Sequence, residues 1–466
     1  MVQKKSLLSM SQGQGDGCDE VNAIVLDPGS YSTRAGWSAE DCPSITEPSV
    51  CCVRGNSKKF GDSEASIVKP DKQIEQIMKD GVVNDFDAAS ELWMYTLCQA
   101  SPHRSVEYLM ESPLLITEQP WNPLATQKKT LEFGLEHLNV PAIYLAKSPT
   151  LSVFSAGRGT GLVVDVGEQV ASVTPVLDGV CLRKPARKSR RAGKFLSEKV
   201  LELLKQKNID VHATFEVSQK KPYSSLNGDA PGFVLRDVEC TDSYRQYHRL
   251  KVVENFKETM VQVGEPNDTK RMFELPDGNQ IELGAERFTL GDALFDSDLT
   301  TDTNESGKTT ESTETKDSTE STESTESTET TETTESAEST GTKESTESTE
   351  STELNGWSAK GLGQLIVESL NACDVDVRPN LANNIIITGG TSLVQGFTER
   401  VNQTLIKERP MLKIRVFASG NVTERKNSAW IGGSILSSLG TFHQLWVTKQ
   451  EYEDAGVEQI CQKRFR

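Results

Sequence analysis

Two short stretches of the chain end an apolar run in an aspartate, with a glycine two residues later. "VLDPGS" places Asp27 before Gly29 and Ser30, and "VVDVGE" places Asp165 before Gly167. A run of this kind reads as a strand that turns back on itself. The backbone N–H groups of such turns form concavities that bind anions. Two of them can close on a polyphosphate from both sides, while their carboxylates hold a divalent cation through water. Ser30 adds a hydroxyl and Arg34 a positive charge. A third stretch, "IIITGGT", ends an apolar run at Gly389, Gly390 and Thr391 and reads as the opening of a helix, whose free N–H groups suit an anion or a sugar. One Asp-x-Gly turn is ordinary loop chemistry. Three such sites, each after an apolar strand, make a candidate phosphate-binding constellation.

Elements able to hold these turns are legible around them. "VNAIVLD", "SVCCV", "KKFGD", "LLITEQP" and "AIYLA" read as strands. "DFDAASELWMYTLCQAS" has helical spacing with Asp85 or Asp87 as cap, and "PLATQKKTLEFGLEHL" reads as a helix with an early proline. "TGLVVDVGEQVASVTPVLDG" repeats the opening pattern of strand, aspartate, glycine turn and strand. "AWIGGSILSSLGTFHQLWVTKQEYEDAG" reads as apolar helices. Strands and helices alternate, which predicts an α/β fold. Trp93, Trp357, Trp430 and Trp446 are expected in the core, Cys51 and Cys52 pack in a strand, and His443 carries no catalytic role.

Composition separates one segment from the rest. Residues 296–353 are nearly all Ser, Thr and Glu, with 18 acidic and three basic residues, and so carry −15 of the formal −18. With almost no apolar side chains this segment cannot offset the entropy of ordering, so a disordered insertion is expected. Nine scattered cysteines without a C-x-x-C pair fit neither a zinc site nor a disulfide framework, and point to a reducing compartment. The first residues lack the apolar centre of a secretion signal, and no apolar run nears the ~18 residues of a membrane span. A soluble intracellular protein without membrane contact is expected. The run "RKPARKSRRAGK", residues 183–194, reads as a solvated surface, a localisation signal or a nucleic-acid contact, with direct DNA contact left open.

The Asp27-Pro28-Gly29-Ser30 turn followed by Arg34-Ala35-Gly36-Trp37, the Asp165-Val166-Gly167 turn and the Gly389-Gly390-Thr391 motif together resemble the phosphate and adenosine loops of the actin superfamily. The resemblance covers about 21–295 and 354–466. The segments "LDPGSYSTRAGW" and "SLGTFHQLWVTKQEYEDAGVEQICQKRFR" are most similar to the fourth class of nuclear actin-related proteins, which belong to chromatin-remodelling and histone acetyltransferase complexes. The resemblance implies a duplicated α/β fold of two lobes around a cleft for ATP and Mg²⁺. Residues 1–20 would be a flexible tail. Residues 21–155 plus 428–466 would form the first lobe, and 156–427, interrupted by 296–353, the second. By the same resemblance Asp27 and Asp165 organise the waters of Mg²⁺, while Gly29, Ser30, Arg34 and Gly167 line the phosphates. Lys257 and Glu258, in "ENFKETM", fall at ribose and base, and Lys426 falls near the adenine. The implied partners are monomeric actin, a basic scaffold helix of a remodelling ATPase or acetyltransferase subunit, and histones or nucleosomes, all in the nucleus.

Departures from the family pattern define the expected activity. Ser148 and Ser172 stand where the family orders the attacking water with a glutamine and a histidine. Serine is too short for that water and no base near neutral pH. Tyr31 and Gln169 replace glycines of the phosphate turns, and Asn427 replaces an aromatic residue near the adenine. The segment "RGNSKKFGDSEA" is much shorter than the loop by which actin subunits join. ATP binding without efficient hydrolysis and without homopolymers is therefore expected. A filament-forming ATPase, and a sugar kinase or chaperone ATPase sharing the two-lobed core, are the alternatives.

Overall fold

Each Asp-x-Gly turn joins the two antiparallel strands of a hairpin, and each hairpin seeds one of two large sheets. The computed structural model describes residues 22–220, 232–267, 269–296 and 357–465, so the expected tail and nearly all of the expected insertion lie outside it. In the first sheet Ile24–Pro28 pairs antiparallel with Ser32–Trp37 and parallel with Leu114–Glu118, which pairs parallel with Ala142–Lys147. Ile45–Pro48 and Val447–Thr448 complete the edges. The second sheet repeats the plan. Gly161–Val166 pairs antiparallel with Ala171–Leu177 and parallel with Ile385–Thr388, which pairs parallel with Val416–Ala418. The central strands are buried on both faces, as runs such as IVL and III require. The fold is therefore a duplicated α/β architecture in two lobes.

Helices cover the sheets. Helix α1, Phe86–Ala100, takes Asp85 as its cap, because the Asp85 carboxylate accepts from the N–H groups of Asp87 and Ala88. Helix α2, Ser148–Ser155, leaves the first sheet and crosses α6, Ser428–Ser438, so closely that a methyl group on Gly432 would collide with the Leu151 carbonyl. Trp430 on α6 is fully buried and donates its indole N–H to the Val25 carbonyl at 3.1 Å, which ties the C-terminal region to the first strand.

Several local expectations change. The "KKFGD" stretch is strand only over Ser57–Lys59, and Asp62–Ser66 is a short helix. The C-terminal stretch is not all helical: Gly440–Leu445, which holds His443, is a 3₁₀ turn, and Val447–Thr448 closes the first sheet. Trp93, Trp430 and Trp446 are core residues, whereas Trp357 is half-buried. The Lys188 ammonium lies 4.6 Å from the Trp357 ring and 4.9 Å from that of Trp121.

The basic run divides: Arg183, Lys184, Arg190 and Lys194 are exposed, as a solvated surface requires, and other members serve the fold. Lys188 and Arg191 are buried, while Arg190 forms a two-bond ion pair with Asp80. Arg191 donates to the carbonyls of Ala293 before the acidic segment, of Asp296 at its first residue and of Ala359 after it. One guanidinium thus bonds carbonyls on both sides of that segment. Deletion of 300–353 with a short linker is expected to leave the circular dichroism spectrum unchanged and the melting temperature within about 2 °C, an energetic change below ~1 kcal/mol. A fall of several degrees would show that the segment packs on the body.

Candidate functional site between the two hairpins

All twelve residues singled out from the sequence line one cavity of about 600 Å³ between the hairpins: Asp27, Gly29, Ser30, Arg34, Asp165, Gly167, Lys257, Glu258, Gly389, Gly390, Thr391 and Lys426. Ser148, Ser172, Gln169 and Asn427 line it as well. In the first turn the Gly29 N–H donates to the Ser32 carbonyl at 3.0 Å. The N–H and hydroxyl of Ser30 have no partner among the described residues, which leaves both donors available. In the second turn the Gly167 N–H donates to Val170 at 3.0 Å, and the Thr391 hydroxyl donates to the Gly167 carbonyl at 2.8 Å. The third motif therefore braces the second turn.

The Gly-Gly-Thr motif does not open an α-helix. It forms a 3₁₀ turn, Gly390–Leu393, and helix α5, Phe397–Glu408, begins only after it. Gly389 has φ of 90°, and a side chain there would collide with the Asp165 carboxylate and the Val166 carbonyl. Only glycine permits this approach of the motif to the second turn.

The two aspartates differ in environment. Asp27 is buried, accepts from Arg34 at 2.9 Å and takes the Thr117 hydroxyl at 2.5 Å. One N–H of the Arg34 guanidinium is thus taken by Asp27, while the side chain stays in the cavity lining. Asp165 accepts no hydrogen bond from a described side chain. Burial, and then the Asp27 charge, push its carboxyl up to about 6. A carboxylate desolvated and facing a like charge calls for a cation. The donor set therefore fits a Mg²⁺ ion held through water between Asp27 and Asp165, with the ion supplying charge for phosphate oxygens.

The expected ribose and base residues divide. Lys257, on helix α4 (Asp242–Met260), is buried and donates to the Gly193 carbonyl at 2.9 Å and the Ser197 hydroxyl at 3.0 Å, both on helix α3 (Gly193–Gln206). It also pairs with Glu168 at 3.4 Å, so it braces the second turn as much as it faces the cavity. Glu258 and Lys426 are exposed and 3.8 Å apart, and they face each other at the rim.

Sequence reasoning singled out Tyr31 but missed its partner and the other residues of α4 that join the first lobe. The Tyr31 hydroxyl donates to Glu254 at 3.1 Å, joining the first turn to α4. Burial first, and then the Glu168 charge, push the Glu254 carboxyl up to about 7. Further along α4, Tyr244 donates to the Ser66 carbonyl at 3.0 Å, the Ser243 hydroxyl accepts from the Ile74 N–H at 3.1 Å, His248 bonds the Ala65 carbonyl at 3.1 Å, and Lys251 pairs with Asp62 at 3.0 Å. Tyr244 is fully buried in an apolar cluster with Val50, Cys52, Ala65 and Ile74. The only signal was the spacing of 244, 247, 248, 251 and 254, one helical face that reads as solvated.

Paired glycine hairpins on duplicated sheets, converging with a Gly-Gly-Thr turn on one interlobe cavity, define the two-lobed cleft architecture. The family model for actin matches residues 18–466, and the chain belongs to the actin family. Similar proteins include "Actin-related protein 4" of Candida albicans, 37% identical over 97% of this chain and 98% of that protein. Those of Yarrowia lipolytica, 35% identical over 96% and 97%, and Arabidopsis thaliana, 31% identical over 96% and 99%, carry the same name.

Proposed function

We propose that the chain is a non-polymerising, ATP-binding nuclear actin-related protein. In this reading it is a structural and regulatory subunit of chromatin-remodelling and histone acetyltransferase complexes. It would take part in nucleosome or histone engagement, transcription and DNA repair. The observation that carries the binding part is the single cavity where Ser30, Asp27, Asp165, Gly167 and Gly389 converge. The Ser30 donors and the second turn would hold phosphates, and the rim pair Glu258 and Lys426 would face the nucleoside. Weak or absent hydrolysis is supported by Ser148 and Ser172. Both are buried, and the Ser148 hydroxyl is committed to the Glu118 carbonyl at 3.2 Å.

The non-polymerising part is supported by the shortened segment after Val53. Instead of projecting, its helix Asp62–Ser66 and the following residues dock on α4 of the same chain. In the C-terminal region Ile435, Leu439 and Leu445 remain exposed, an apolar surface for a partner. A chain that keeps one joining surface and has folded the other onto itself can pair but not propagate. The proposed partners are one actin monomer and a basic amphipathic scaffold helix, with histones engaged by the assembly. The similarity to proteins named Actin-related protein 4 supports the placement in this group.

Affinity purification of the tagged protein from nuclear extract is expected to recover actin and a remodelling or acetyltransferase subunit in a 1:1:1 complex. The protein alone should stay in the supernatant on ultracentrifugation in polymerising salt with Mg-ATP. Filaments of the isolated protein, or a nuclear purification without either partner, would overturn the reading.

A further inference from the structure

One short stretch of the first lobe is held at both ends by elements of the second. Residues 73–83 run from the strand Gln73–Gln76 into a hairpin of Met78–Lys79 with Val82–Val83, whose tip is Asp80 and Gly81. The middle of the stretch belongs to the first lobe, because Ile77 is buried in the core cluster that holds Ile24 and Leu26. Near its start the Ile74 N–H donates to the Ser243 hydroxyl of α4 at 3.1 Å. Near its tip the Met78 carbonyl accepts from the Gln169 amide at 3.1 Å, and the Asp80 carboxylate accepts two bonds from Arg190 at 2.9 and 2.8 Å. Gln169 lies in the second turn and lines the cavity. Arg190 directly follows the strand Arg187–Ser189, which pairs with Ala171–Val173 of the second hairpin.

The Arg190 side chain is 69% exposed, and an exposed ion pair by itself contributes little. Two features set this pair apart. The guanidinium meets the carboxylate with two bonds, which fixes their orientation. It also lies over the Trp357 ring, 4.9 Å from its centre. Trp357 is itself held, because its backbone bridges to Lys188 and the next residue, Ser358, donates its N–H to the Lys188 carbonyl at 2.8 Å. A stacked guanidinium loses less freedom on binding a carboxylate than a loose one. The other partner is fixed too: Asp80 has φ of 54°, a conformation that aspartate tolerates, and the Trp121 indole N–H donates to its carbonyl at 3.0 Å.

We propose that Asp80 and Arg190, with Trp357 stacked on the guanidinium, form a clasp that holds the cavity closed beside the second turn and limits the rate at which nucleotide leaves. The inference rests on the ATP-binding reading above. Parting of the lobes carries residues 73–83 away with Ile77. It therefore breaks this clasp as well as the bonds of α4, which close the mouth of the cavity from the other end of the same stretch.

The full chain is loaded with Mg²⁺ and a fluorescent ATP analogue, and release is followed after mixing with excess ATP. Asp80→Asn keeps a residue suited to the left-handed turn and removes the charge. At low salt it should release the analogue about three- to tenfold faster than the wild type. Release from the wild type should quicken as salt is raised and the exposed pair is screened, and release from Asp80→Asn should respond much less. Arg190→Lys keeps the charge but loses the fork and the stacking, so it should approach the rate of Asp80→Asn. Trp357→Leu keeps an apolar cover and should speed release about twofold in the wild type, but not in Asp80→Asn, since the ring acts through Arg190. General loosening of the fold would not erase the salt response. Equal release by the wild type and Asp80→Asn at low salt, or the same salt response in both, would overturn the clasp while leaving ATP binding intact. Equal acceleration by Trp357→Leu in both backgrounds would overturn the part given to Trp357. A wild type that takes up no analogue would instead remove the binding reading and this inference with it.

Discussion

Asp165→Asn is expected to abolish the rise in melting temperature on adding Mg-ATP and, without ligand, to make the protein more stable than the wild type. The two halves have one cause. The Asp165 carboxyl has no hydrogen-bond donor among the described side chains, and it is held up at about 6 by burial and by Asp27. Its native pKa lies above the ordinary carboxylate value, so between about pH 4 and pH 6 the native state binds more protons than the unfolded state. Stability is then lost as pH rises through that window, and at pH 7 the ionised group costs up to about 3 kcal/mol. Asparagine removes the charge and most of that cost. The same charge is what a water-bound Mg²⁺ needs. With ligand at 100 times its Kd the wild type should gain about 2.7 kcal/mol, and the variant should gain none. Differential scanning at pH 5 and pH 7, with and without Mg-ATP, reads both halves. A retained ligand shift would reject the metal role of Asp165. A ligand-free variant less stable than the wild type at pH 7 would reject the electrostatic account.

The second large effect is expected at the mouth. Ser243→Ala combined with Tyr244→Phe should speed the release of a bound ATP analogue about ten- to thirtyfold while barely changing its association at low concentration. Both hydroxyls bond the first lobe, through the Ile74 N–H and the Ser66 carbonyl. These bonds break if the mouth opens by separating α4 from that lobe. At ~1 kcal/mol each they contribute about 2 kcal/mol to the closed state, and 1.4 kcal/mol is tenfold in a rate. The substitutions keep the Tyr244 ring within its apolar cluster, so the fold should survive. Tyr244→Ala would cost ~3–5 kcal/mol by leaving a void, and would confuse opening with unfolding. Stopped-flow displacement measures the release. An unchanged rate would mean that nucleotide leaves by a route that does not part α4 from the Ser66–Ile74 segment.

Much of the fold was legible because its signals are local. The strands around Val25, Leu115, Ile143, Val163 and Ile386 are short apolar runs ended by turn residues, and such runs in an alternating pattern predict buried parallel strands. Strand Val447–Thr448 was read as helix because two residues carry no period; only its pairing with Ala142 and Ile143 makes it a strand. Asp85 and Asp87 could not be separated as caps by composition, since either suits the position. The backbone path before the helix chose Asp85.

What the sequence determined alone was each half-site, an aspartate and a glycine at the end of a strand with a hydroxyl following in the first, and the composition that sets the acidic segment apart. These follow from backbone geometry and composition within a few residues. Tertiary structure decided which groups remain free to act. It gave Arg34 to Asp27 and Lys257 to helix α3, and it buried Lys188 and Arg191 out of a run that reads as solvated. It also joined Tyr31 to Glu254 and Thr391 to Gly167, more than two hundred residues apart in each case. A side chain's period records which face of its helix it occupies. What covers that face, and therefore whether a charge is paired, desolvated or available to a ligand, depends on the packing of segments remote in the chain.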